Sequence, residues 1–448
     1  MGAGGFAGWR FLQPDGDVSK KPAVAVLPLQ AISNDETTAR FAAGVTEDII
    51  SDLARFRDID VIAANSTRSI TKETADTREI GRTFGVGYVV RGMIQREGDQ
   101  MRVNAQLVDT TNGTSIWSER WDRPLSDLFA VQSEISQRVA GAIGSSNSSV
   151  AIAVDELKKL KRRPPASLTA YEHYLLAVEA RAVFTKEAIF AGVDQATKAI
   201  ELDPNYAPAY AIRARLRYNT THFGADFDEA LRAMEADARK AVELAPDDAE
   251  ARGALAWYLI LRGRLLEAET EIRAALATNP NNLNVMHMGS AILAANGHTD
   301  EGIALADRVL KIDPRANSGT LNTIKDAYFF SRRFDDLVGV ITRIPENARA
   351  RGSRLFLTMG YAFLGRAAEL EAARKAFIEN YPKVSAELML NQDWASLPTE
   401  QENLFIDGFR KAGLPLCATP EQLAKAATPK RISDCTAPQA QSGGSNSN

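Results

Sequence analysis

The stretch AVELAPDDAEAR, residues 241–252, carries the end of one helix and the start of another. Its alanines and leucine are good helix formers. Pro246 cannot donate the backbone bond that a continuing helix needs, and Asp247 and Asp248 suit the turn that follows. Three other stretches repeat the pattern: AIELDPNYAPAY (199–210), ALATNPNNLNVM (275–286) and VLKIDPRANSGT (309–320). Their prolines, Pro204, Pro246, Pro280 and Pro314, stand 42, 34 and 34 residues apart. Gly263 and Gly297 are also 34 apart and fall at the turn within each helix pair. Ala256, Ala268 and Ala275 fall where paired helices must approach closely.

A period of 34 with one helix pair per repeat marks tetratricopeptide repeats. The 42-residue gap predicts an insert around THFGADFD (221–228), between the two helices of its repeat. Pro345 and Pro382 suggest two more, degenerate repeats. The expected architecture over residues 169–400 is an all-α superhelix of five or six pairs, whose concave face takes an extended peptide. In such repeats certain first-helix positions face the groove. Here they are Arg181, Arg215, Trp257, Ala291 and Lys325, and three residues further on Phe184, Tyr218, Ile260, Ala294 and Tyr328. Three basic and several aromatic residues on one face predict a partner-binding groove for an acidic or C-terminal carboxylate peptide. The alternative is that they are solvated or packing residues.

Upstream, residues 21–145 alternate strand and helix patterns. AVAVLPL (23–29) is a continuous apolar run, as in a strand buried on both faces. In the helix that follows, Phe41, Val45, Ile49 and Leu53 recur every four residues. IDVIAA (59–64) reads as a second strand, and a helix is expected around 78–84. Met101, Val103, Ala105 and Leu107 alternate with polar residues, as in a half-buried strand, and Asn112-Gly113 signals a hairpin. A last helix carries Leu128, Val131, Ile135, Val139 and Ala142 on one face. The order β-α-β-α-β-β-β-α predicts an α/β domain with a mixed sheet covered by helices.

KPAVAVLPL, FAAGVTEDIISDLARF, GVGYVVRGMI, RVNAQLVDTTNG, IWSERWDR and DLFAVQSEI occur in this order and resemble the TolB-type amino-terminal domain of bacterial multidomain signalling proteins. KRRPPASLTAYEHYLLAVEA resembles the segment joining that domain to tetratricopeptide repeats in the class III adenylate cyclases of the group. The resemblance implies the C-terminal half of such a protein, with the catalytic domain absent from this chain. It implies that MGAGGFAGWRFLQP, within residues 1–20, is the end of a membrane helix. A flexible N-terminus is the alternative. Residues 146–168 read as a linker with a short basic helix, and 401–448 as a C-terminal segment and disordered tail.

Composition excludes several function classes. A net charge of −4 over 448 residues argues against binding nucleic acid through overall positive charge. The four histidines do not cluster, and there is no HExxH, CxxC or Walker-type phosphate loop. The reading is therefore a non-enzymatic sensory or scaffolding module with no cofactor and no metal, and with a protein or peptide partner. The alternatives are the sensory half of a winged-helix transcriptional regulator or a free-standing soluble repeat adaptor. Membrane contact is expected only through an upstream helix. Cys417 and Cys435 could close a disulfide, which persists in the periplasm and is rare in the cytosol. The group resemblance implies a periplasmic location if an upstream span exists, and a cytoplasmic one otherwise.

Overall fold

The computed structural model describes residues 21–144 and 167–436, apart from positions 34, 58, 69, 71–75, 393, 395 and 425–428. The expectations for residues 1–20, for the basic linker helix and for the tail beyond 436 lie outside the described residues. No described helix is long and apolar enough to cross a membrane.

The N-terminal domain is a mixed sheet with helices on both faces. Strand β1 (Ala23–Val26) lies between β3 (Asp60–Ile62) and β4 (Tyr88–Glu97) and runs parallel to both. Its place inside the sheet explains its unbroken apolar run. Strands β4, β5 (Gln100–Asp109) and β6 (Ser115–Pro124) form an antiparallel meander, turned at Gly98 and Gly113, both at positive φ. A two-residue strand, β2 (Gln30–Ala31), also pairs with β4, and a one-turn helix, α2 (Ala64–Thr67), follows β3. Both are too short to leave a periodic signal. Helix α1 (Glu36–Leu53) starts at Asp35, whose carboxylate accepts the amides of Thr37 and Thr38. With α4 (Leu128–Gly144) it covers one face of the sheet over Val24, Val26, Val103 and Leu107. Helix α3 (Thr77–Phe84) contributes Ile80 to a smaller core on the other face.

Helix pairs follow: α5 (Leu168–Val183) with α6 (Lys186–Leu202), α7 (Ala207–Thr220) with α8 (Phe227–Leu244), and α9 (Ala249–Leu261) with α10 (Leu265–Thr278). Then come α11 (Leu283–Ala295) with α12 (Thr299–Ile312), α13 (Ser318–Phe330) with α14 (Phe334–Thr342), and α15 (Arg351–Phe363) with α16 (Ala367–Asn380). The prolines act through the residue before them, because proline disfavours the helical conformation of its predecessor. Asp203, Ala245, Asn279 and Asp313 have φ/ψ of −141/89°, −143/75°, −141/84° and −127/72°, and each ends its helix. Side chains then restart the chain: Asp248 caps α9, Asn282 caps α11 and Asn317 caps α13. The extra residues of the long gap form a 3-10 turn at Thr221–Phe223, between α7 and α8.

The α/β domain is docked along the edge of the superhelix where second helices turn into first helices. The Tyr171 hydroxyl donates to Asp48 at 2.6 Å, and Gly44 allows the approach: a Cβ there would meet Leu175 and the Tyr171 hydroxyl at 2.7–2.8 Å. The Asn279 side chain donates to the Ser51 carbonyl, and the Asn281 backbone donates to that of Ala54. The buried Asn281 amide also donates to the carbonyls of Phe56 and Ile59, at 2.6 and 2.9 Å. Asp60 accepts from Arg308 at 2.9 Å and Lys311 at 2.7 Å, and Ser66 bonds Asp313. Burial pushes the Asp60 carboxyl up, but Lys311 and then Arg308 outweigh it and hold the group below its ordinary value. The stability from this pair is therefore complete above about pH 4, the unfolded value, and is lost as the pH falls through the lower folded one.

The C-terminal segment does not stop packing at 400. Helices α17 (Ala386–Gln392) and α18 (Thr399–Ala412) continue the repeat core, with Phe405 and Phe409 fully buried. Beyond α18, Leu414, Ala418, Leu423 and Ile432 are all buried. Fully buried Glu387 organises them, accepting from Ala418 N, Ile432 N and Arg431. Cys417 is joined to Cys435, with Cα atoms 5.5 Å apart.

Two outcomes follow from this packing. Asn281→Leu removes the donor shared by the Phe56 and Ile59 carbonyls, leaving Phe56 only the 3.4 Å bond from Ile59 N, and should lower stability by about 1–3 kcal/mol in urea unfolding. An unchanged midpoint would show that the seam contributes nothing. Reduction should raise amide exchange across residues 414–436 while the α/β domain keeps its protection, because the bond closes only the terminal loop. Alkylation of two free thiols before any reductant is added would show that the bond does not form in the protein.

Candidate functional site

The first helices of the leading repeats place five of the expected groove residues on one connected surface. Arg181 and Phe184 lie one turn apart at the end of α5, and Arg215 and Tyr218 take the same places on α7. Trp257 projects from α9, half-buried, with its ring 6.3 Å from Tyr218. His222 and Phe223, from the insert, extend the aromatic surface. The rings of Phe184 and Tyr218 lie 5.8 and 5.4 Å from His222, and Phe184 lies 5.7 Å from Phe223. Phe184 has φ 55° and ψ 41° and is 46% exposed. A bulky residue in the left-handed region is an outlier, and an exposed one gains little from core burial in return.

Beside this ridge lies a cluster of charge. Arg215 is buried, and Glu250, at the start of α9, stands 3.5 Å from its guanidinium. Glu250 also accepts from Asn282 and Asn284 at 3.0 and 2.9 Å, so its charge is shared among three donors. Arg181 is half-buried and has no carboxylate within ion-pair distance among the described residues. Burial, then repulsion from Arg215, lowers its pKa to about 9. His287 on α11 is 6% exposed, and its Nδ1 makes no hydrogen bond of good geometry, although the Leu283 carbonyl one turn back favours its protonation. Burial first, then Arg215 and Arg181, holds its pKa well below the ordinary histidine value. Sequence spacing did not single out His287, Glu250, His222 or Phe223. The one available signal is that His287 lies one turn before Ala291, on the groove-facing side of its helix.

Lys325 and Tyr328 require a correction. Lys325 does not extend an exposed basic ladder: it is 6% exposed, lies 2.6 Å from buried Asp326, and has its ammonium 5.1 Å from the Phe356 ring centre. Tyr328 is also buried and donates its hydroxyl to Asp307 at 2.9 Å. Helix α15 packs over this part of α13, so the groove positions there become core. Ile260, Ala291 and Ala294 are likewise buried packing residues. Among the described residues, no group of three or more His, Cys, Asp or Glu side chains is placed to hold a metal ion.

Residues 19–138 match the family model of the HilA/YgeH-like transcriptional regulator, second domain. A putative adenylate cyclase 3 of Rhizobium meliloti (strain 1021) is 32% identical over 260 residues, which are 57% of this chain and 43% of that protein. The chain thus spans less than half the length of that relative. Among solved structures, TolB from Acinetobacter baumannii is similar over 28% of this chain and 29% of its own, at 19% identity and TM-score 0.23. The pilus biogenesis factor PilW is similar over 49% and 96%, at 18% and 0.36. Human IFIT1 with m7Gppp-AAAA is similar over 67% and 72%, at 15% and 0.40.

Lys325→Met should act on stability. It leaves the Asp326 carboxylate buried without its partner, a loss of about 3–5 kcal/mol, and Asp326→Leu in the same chain should restore most of it. Thermal unfolding of the single and double variants checks this. A single variant as stable as wild type would return Lys325 to the solvated face.

Proposed function

We propose that this chain is a non-catalytic sensory or scaffolding module, the regulatory half of an adenylate cyclase-type signalling protein. It takes a protein or peptide partner against the first helices of its leading repeats. The observation that carries this reading is Arg181, with no carboxylate within ion-pair distance among the described residues, beside Arg215 and an aromatic ridge that includes a strained, exposed Phe184. Charge-assisted bonds from the arginines and stacking on Phe184, Tyr218 and Trp257 suit a peptide that offers a carboxylate next to an apolar side chain.

The likeness to the putative cyclase supports this context. Its 260 matched residues are more than twice the 120 of the α/β family match and so must run into the repeats. The match to a second domain of transcriptional regulators supports a different output for the same α/β module. It stops at residue 138, before the repeats begin, and is the weaker guide to the whole chain. TolB-like kinship of the α/β domain and an upstream membrane helix belong to the cyclase reading. The Cys417–Cys435 bond supports a periplasmic location, because such bonds persist in oxidising compartments.

Two measurements test the reading. The purified chain should make no cyclic AMP from ATP, and turnover by the chain alone would overturn its non-catalytic role. A photo-crosslinking residue at position 257 should capture a partner that one at exposed Leu266 does not. Against that partner, Arg181→Ala should raise Kd about tenfold with little change in melting temperature. Equal binding by the variant would remove the groove from the function.

A further inference from the structure

The two edges of the α/β sheet end differently. At one edge β3 is covered: Asp60 meets Arg308 and Lys311, and the Ala63 amide donates to Ile312 of α12. At the other edge lies β6, ten residues long. The pleat decides which of its backbone groups face out. The carbonyls of Val90 and Ile94 in β4 accept from Leu27 and Ile32, so even-numbered residues of β4 turn away from β5. The pairing of Met93 with Asn104, and of Ala105 with Glu119, carries the alternation outward. Odd-numbered residues of β6 therefore bond β5, and the Leu125 amide, donating to Asp99, continues that side. Ser118, Arg120 and Asp122 turn their N–H and C=O groups to the open edge. Among the described residues no backbone bond reaches these groups, and all three side chains are exposed.

A long open edge invites an added strand, and charged side chains usually guard against one. The charges of β6 are instead complementary to themselves. Their order is Glu119, Arg120, Trp121, Asp122, Arg123. An antiparallel copy centred on Trp121 sets Arg120 opposite Asp122 and Glu119 opposite Arg123, each twice by symmetry. Centring the pair on Glu119, Arg120, Asp122 or Arg123 sets a charge against itself. Centring it on Ser118 brings no opposite charges face to face. The Trp121 register also places Arg120 and Asp122, whose backbone groups face out, in the hydrogen-bonded positions. Pro124 has no N–H to offer and ends the overlap opposite Ser118. We propose that β6 is a docking edge for a second copy of this chain, giving a two-fold dimer in which the sheet runs on through antiparallel β6 strands centred on Trp121. The centre is well held, because Trp121 is buried and its indole donates to Glu134 of α4 at 2.7 Å. Arg102 and Arg120 already hold Asp122 at 2.6 and 2.7 Å. In the dimer each Arg120 lies between two Asp122 carboxylates, one from each chain. The overlap is short, so the dimer is a weak one, forming at about 10–100 μM. It does not depend on the reading of the repeat groove.

Sedimentation velocity of the full chain over about 1–300 μM tests this. A reversible dimer in the upper part of that range supports the edge, and a monomer throughout overturns it. Arg120→Asp opposes a like charge to Asp122 of the other copy, and Asp122→Arg opposes one to Arg120. Each should weaken the dimer by about tenfold or more. An equimolar mixture of the two variants sets opposite charges face to face again at both places, and should dimerise to within about threefold of wild type. Each variant keeps its like charges within its own chain, so this rescue can arise only across the pair. Single variants that dimerise as wild type does, or a mixture that stays monomeric, would overturn the Trp121-centred edge. Glu119→Arg mixed with Arg123→Glu repeats the experiment on the opposite face of the strand, so misfolding of one variant does not decide the result.

Discussion

Asn281 holds the two halves of the molecule in one arrangement. The carbonyls of Phe56 and Ile59 lie where α1 has ended and β3 has barely begun, and Phe56 has only a long turn bond, 3.4 Å, from the Ile59 amide. One side-chain amide from a repeat turn donates to both. Leaving such groups unpaired costs more than pairing them gains, so the constraint acts mainly against other dockings. Asp60 continues the same logic one residue further on. It starts β3 beside β1 and, at the same position, accepts Arg308 and Lys311 from α12. Sheet register and domain docking are thus set by the same few residues. A seam built from desolvated, geometry-dependent bonds has little tolerance for sliding, unlike an apolar contact of the same area.

What could be read in advance follows from periodicity. The repeats announce themselves because each proline acts on the residue before it, and four such sites adopt nearly the same backbone angles. The buried strand Ala23–Val26, the hairpin at Gly113 and the insert at Thr221–Phe223 were legible for equally local reasons. The docking was not. Asn279, Asn281 and Asp313 are the residues any turn favours, and nothing nearby distinguishes one that also bonds another domain. Lys325-Asp326 was misread for a similar reason: adjacent opposite charges usually lie in water, and only α15, folding over them, makes the pair internal. Glu387 was invisible because its donors come from 31 to 45 residues away.

The middle of the superhelix explains why the basic positions part company. Ala291 and Ala294 leave no room at the groove-facing places of α11, and Gly253 on α9 admits Met288, whose methyl carbon would lie 2.8 Å from a Cβ there. Successive first helices close up at this point. Before it, Arg181 on α5 and Trp257 on α9 stay half-buried, and Arg215 on α7 is already enclosed with Glu250 as its counter-charge. Beyond it the same repeat positions carry Lys325 and Tyr328, which require a counter-charge and a hydrogen-bond acceptor because they are enclosed.

The hydrophobic cores do not divide where the sequence does. Tyr171, Leu175, Ala199, Tyr206 and Ala209 of the first repeat and the start of the second pack in one core with Val24, Phe41 and Ile135 of the α/β domain. The main core of the repeats begins at Ala211 and Ala214 and runs on to the C-terminal segment. The first repeat is shared between the two: its Ala177, Ile189 and Ala196 pack with Ile212 and Leu216 of α7 in a core of their own, so the end of α5 that carries Arg181 is seated on the second repeat. Under the proposed function, a partner held by Arg181 and Arg215 meets the first helices of both leading repeats, and linkage then requires that whatever shifts their packing change its affinity by the same factor.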